Sequence, residues 1–65
     1  MQKYQERVVA ERDELVDKIT KLTKFLYSER ALRIPLAEED RMKKQLASML
    51  GYAGALCERI KAFKI

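Results

Sequence analysis

Pro35 is the one residue of the chain that a continuous helix cannot accommodate, and it falls near the middle of 65 residues. Its ring removes a backbone donor, and it disfavours helical geometry in the residue before it. The chain is therefore divided into two stretches of similar length, each with apolar residues at helical spacing. In the first, Val8, Leu15, Ile19, Leu22 and Leu26 recur every three, four or seven residues, and neither glycine nor proline interrupts Lys3 to Tyr27. In the second, Met42, Leu46, Met49, Ala53, Leu56, Ile60 and Phe63 alternate spacings of four and three. That is a sustained heptad seam, the pattern of coiled coils and helical bundles.

These periodicities predict an all-α chain forming one helical-hairpin domain over residues 1–65. Helix one is expected over about 3–27, a turn over 28–36 with Leu32 and Ile34 tucked inward, and helix two over about 37–63. Glu38, Glu39 and Asp40 fall in the first turn of helix two, where negative charge complements the helix dipole. A short connection makes the helices antiparallel neighbours. Leu26 should then lie near Met42, Ile19 near Met49, Leu15 near Ala53 and Val8 near Ile60.

A dozen seam residues supply too little apolar burial to hold so small a chain by themselves. Val9, Val16, Leu50 and Cys57 lie beside the seam, and Phe25, Tyr27 and Ile65 are apolar elsewhere. Left uncovered, they would form a patch too large for a monomer. The hairpin is accordingly expected to assemble into a homo-oligomeric helical bundle, a tetramer or hexamer.

Several function classes are disfavoured by residue content. Cys57 is the only cysteine and there is no histidine, so neither an internal disulfide nor the usual zinc site can be assembled. Cys57 lies on an apolar edge without a base and no carboxylate pair is isolated from bases, so an enzyme is not expected, and no cofactor is implied. No apolar run reaches the roughly 18–20 residues of a membrane span, and the N-terminus lacks signal-peptide order, so the chain is expected to stay in the cytosol. A net charge of +4 and a pI near 9.4 favour an anionic partner. Nucleic acid is not the expected one, because bases and acids interleave and no helix-turn-helix spacing occurs. Lys18, Lys21 and Lys24 suit the negative end of the first helix dipole.

The segment QLASMLGYAGALCERI, Gln45 to Ile60, holds what remains. Gly51 and Gly54 each cost a helix about 0.8–1 kcal/mol relative to alanine. Close approach of a neighbouring helix or of a ligand would account for them. Gln45, Tyr52 and Arg59 share one heptad position and form a line with steps of about 10.5 Å. A tyrosine that stacks on a base, an arginine that grips phosphate and a glutamine that bonds a base edge would suit a nucleotide. An interface tyrosine with an Arg59–Glu58 or cross-chain ion pair fits the same pattern. Arg12 occupies a seam position level with Leu56, where burial would demand an anion: Glu11, Glu14 or a bound phosphate.

The pairing of YQERVVAERDELVDKITKLTKFL with QLASMLGYAGALCERI resembles the small helical-hairpin proteins of tailed phages, including crAss-like phages. Gln45, Met49, Tyr52, Leu56 and Arg59 carry that resemblance, which spans nearly the whole chain. Such proteins commonly cap the second helix with serine or threonine, whereas here Ala37 follows Leu36. The resemblance implies action in the cytoplasm of an infected bacterium, and points to the anti-defence sponges that sequester cyclic nucleotide signals of immunity. Under that reading Arg12, Gln45, Tyr52 and Arg59 bind a cyclic di- or trinucleotide between protomers. The alternative is an interaction hairpin, an inhibitor or assembly factor, with no small ligand.

Overall fold

A computed structural model describes residues 1–63. It contains two long helices, α1 over Lys3–Leu26 and α2 over Leu36–Lys61, joined by a 3-10 turn over Glu29–Arg33. The molecule is a slender antiparallel hairpin measuring 48 × 15 × 13 Å between its Cα extremes.

α1 starts where the Gln5 side chain reaches back, its Oε1 accepting the Gln2 N–H at 2.9 Å. This satisfies a donor at the helix entrance and holds Gln5 buried beneath the first turn. α1 ends at Leu26, and two residues on Ser28 closes the exit, its hydroxyl and N–H both donating to the Phe25 carbonyl, at 2.6 and 3.0 Å. In the 3-10 turn that follows, residues three apart stack on one side. Ala31 and Ile34 therefore share the inner side, Ala31 buried and Ile34 half-buried. Leu32, rotated about a third of a turn from them, is 85% exposed. The expectation that Leu32 tucks inward is thus corrected, and Ala31 fills that place.

Pro35 caps α2 by backbone geometry alone, in extended conformation, with its carbonyl accepting N–H bonds from Glu38 and Glu39 at 3.0 Å each. No side chain caps this end, in keeping with the missing serine or threonine. Glu38 and Glu39 supply the first-turn negative charge and also pair with Arg41 at 2.7 Å and Lys43 at 3.0 Å. α2 begins one residue before its expected start and ends two before its expected finish, because Ala62 already closes the last turn onto Glu58 and Arg59.

Val8, Leu15 and Leu56 form the buried centre of the interhelical seam, with Ile19, Met49, Ala53, Ile60 and Phe63 packed around them. Those members agree with the antiparallel register expected from the heptads. Tyr4 closes the open end of the hairpin edge-on against Phe63, with ring centroids 5.8 Å apart. Val16, Leu50, Tyr52, Tyr27 and Leu36 remain exposed. Ile65, expected to add to the apolar surface, lies outside the described residues.

Candidate functional site

Two flanks run along the hairpin, and the heptad register assigns side chains to each. Val9, Val16 and Thr23 directly follow seam residues of α1, and Lys43, Leu50 and Cys57 directly follow seam residues of α2. In an antiparallel pair such equivalent edges lie on the same flank. A groove of about 380 Å³ near the turn bears this out, since Thr23 and Lys43 both line it, with Leu26, Tyr27, Glu39 and Leu46. Within it the Lys43 ammonium lies 3.0 Å from Glu39. Its pKa is raised above the usual lysine value, first by the hydrogen bond to Glu39 and then by that carboxylate's charge.

Gln45, Tyr52 and Arg59 directly precede seam residues of α2 and so stand on the opposite flank. The residues of α1 that precede its seam positions, Glu11 and Lys18 among them, border the row there. All three row residues are exposed, Tyr52 at 48%. None of them takes part in a side-chain hydrogen bond or ion pair among the described residues. An aromatic ring, a fork-shaped cation and an amide therefore stand in line on one helix, with no protein partner for their polar groups among the described residues.

Arg12 does not join them within one chain. Its Nε and Nη2 lie 3.1 and 3.0 Å from Asp13 Oδ1, and its side chain is 32% exposed. Asp13 stands one turn from both Val9 and Val16, so the ion pair turns Arg12 toward the flank away from the row. The acid partner is Asp13 rather than Glu11 or Glu14. Partial exposure lets the guanidinium reach water past the seam, which removes the need for a buried phosphate.

The glycines are open. A Cβ built on Gly51 or Gly54 would meet no atom within 4 Å. Both are right-handed helical residues in the body of α2, with no positive φ. Nothing inside the hairpin requires a glycine at either position, so any requirement arises from outside it. They belong to the outward side of α2, where Ala47, Ser48 and Ala55 are also small and exposed.

No helix among the described residues is long and apolar enough to cross a membrane. The groove near the turn was not foreseen from sequence; the one available signal was Lys43 standing four residues after Glu39, a spacing that places the pair side by side.

A slender two-helix hairpin with the exposed row Gln45, Tyr52 and Arg59 along one flank defines the class of protein. Within that class the chain belongs to the Sequestin family, whose model matches residues 2–62. It is 43% identical over 61 residues to a 7.5 kDa protein of the denB-rIIB intergenic region of Enterobacteria phage T4, covering 94% of this chain and 95% of that one. The resemblance to small helical proteins of tailed phages thus holds along almost the full length. No solved structure matches the chain.

Proposed function

We propose that the protein sequesters a cyclic nucleotide signal of bacterial immunity, binding it without cleaving it at sites formed between copies of the chain. One observation carries this reading: Gln45, Tyr52 and Arg59 stand in a single exposed row with no partner among the described residues. The family description, Sequestin, and the phage T4 relative support it. Tyr52 stacks on a base, Arg59 holds phosphate and Gln45 bonds a base or ribose edge. Arg12 joins the phosphate only from a neighbouring copy, given its turn toward Asp13. The assembly is a tetramer or hexamer and works in the cytoplasm of the infected cell.

Calorimetric titration with a panel of cyclic di- and trinucleotides tests this. Tyr52→Ala and Arg59→Glu should each abolish binding while helicity and oligomer mass stay unchanged. Normal binding by both variants would reject the site.

A second reading is favoured by a different observation. Tyr27, Leu32 and Leu36 are almost fully exposed together at the turn end. In an interaction hairpin that apolar tip docks on a host or virion protein, and a stoichiometric protein captured from infected-cell lysate, lost with Leu32→Asp, would favour it over the sponge.

A further inference from the structure

We infer that α2 packs antiparallel on α2 of a second copy about a two-fold axis at Gly51, and that this contact joins the two Tyr52 rows into one site. The inference rests on the reading that copies of the chain associate. It adds the face, the register and the symmetry.

Area is the first argument. The chain exposes 5426 Å², whereas a compact monomer of 7.6 kDa exposes about 4,300 Å². The surplus of about 1,100 Å² exceeds the roughly 800 Å² that each partner gives to a standard interface. The two large apolar side chains most exposed on the body of α2 are Leu50 at 54% and Tyr52 at 48%, and they flank Gly51 directly. Neighbouring residues of a helix point about 100° apart, so a partner centred on Gly51 covers the small Ala47, Ser48, Gly54 and Ala55 and leaves Leu50 and Tyr52 bordering its two edges.

Charge fixes the register. Lys44 and Glu58 lie seven residues before and seven after Gly51, on the same outward line of the helix. Neither forms an ion pair among the described residues. When two copies of α2 run antiparallel with Gly51 facing Gly51 of the other copy, Lys44 of each meets Glu58 of the other. Both pairs form at once, as an isologous contact demands. No other antiparallel register centred on this stretch brings those two charges opposite their complements. Between them the side chains are small, so the helix axes can approach to the near end of the usual 8–10 Å separation.

The same register places Leu50 beside its own copy on one side of the axis and Tyr52 beside its own copy on the other. Arg59 of each chain comes within about 3 Å, measured along the axis, of Gln45 of the other. The rows then read arginine with glutamine, tyrosine with tyrosine, glutamine with arginine. A site with its own two-fold axis matches a ligand with one, which selects a cyclic dinucleotide, one per two chains, over a trinucleotide.

A charge-swap cycle read by sedimentation equilibrium tests the contact. Lys44→Glu alone sets like charges opposite each other twice, and should weaken association about thirtyfold if each exposed pair is reversed by roughly 1 kcal/mol. Glu58→Lys alone should do the same. The double variant K44E/E58K should return to within about threefold of the parent. The two residues are about 21 Å apart along one helix, so rescue requires a second chain. A parent that associates, with single variants unaffected or a double variant not rescued, overturns this contact and leaves association itself standing. A parent that stays monomeric at every attainable concentration overturns both. As an independent check, Gly51→Cys in a Cys57→Ser background should form a disulfide-linked dimer under mild oxidation. An oligomer that fails to cross-link would also overturn the contact.

Discussion

Replacing Gly51 by alanine separates what the hairpin needs from what its neighbours need. Gly51 is mid-helix and exposed, and a Cβ added there meets no atom within 4 Å. No steric cost opposes the substitution inside one chain. The remaining effect is helix propensity, which favours alanine by about 0.8–1 kcal/mol. For a chain of this size a change of 1 kcal/mol moves the melting temperature by about 4–8 °C. The assay is urea and thermal unfolding followed by circular dichroism at the lowest usable protein concentration, where association contributes least. Gly54→Ala should behave alike, and the double variant should add the two gains to within a few tenths of a kcal/mol. Loss of stability in dilute solution would refute the claim that both positions are open within the chain. At high concentration the alanine methyl at Gly51 enters the proposed two-fold contact, so part of the gain should disappear there.

Two further substitutions probe the core and the turn together. Leu56, 1% exposed at the centre of the seam, should cost about 2–5 kcal/mol when changed to alanine, whereas Leu32→Ala should stay within about 0.5 kcal/mol of the parent in urea unfolding. A third prediction concerns Lys43. Its raised pKa means that stability from the Glu39 contact is fully present below the ordinary lysine value of 10.5 and is lost as pH rises through the higher folded value. Glu39→Gln should bring the Lys43 titration, followed by NMR at the side-chain nitrogen, back toward that ordinary value, and an unchanged titration would refute the assignment.

The hairpin was legible because two independent signals agree. Pro35 marks the break, and the heptad residues on either side name the buried seam from Val8 to Phe63. The turn was less legible, since whether Ala31 or Leu32 faces inward depends on a 3-10 rather than an α-helical twist, and hydrophobicity points to the larger residue. Gln5, buried through its bond to Gln2, likewise reads as a surface residue until the helix entrance is built. The row of Gln45, Tyr52 and Arg59 was legible as a row because equal spacing on a helix fixes a common edge. The direction Arg12 takes from the seam was not legible. Heptad position says that a side chain starts at the seam, but a long flexible arginine goes where an acid and water are available, and Asp13 decided that. The outward charges Lys44 and Glu58 gave no sign in sequence, because their symmetry about Gly51 acquires meaning only when a second helix is placed against the first.

The central claim is that copies of this chain assemble and hold a nucleotide between them, and native mass spectrometry with and without cyclic di- and trinucleotides tests it most directly. The account predicts an oligomer with an even number of chains that gains one cyclic dinucleotide per two chains and loses that gain with Tyr52→Ala. A monomer, or an oligomer whose mass no cyclic nucleotide changes, would contradict it.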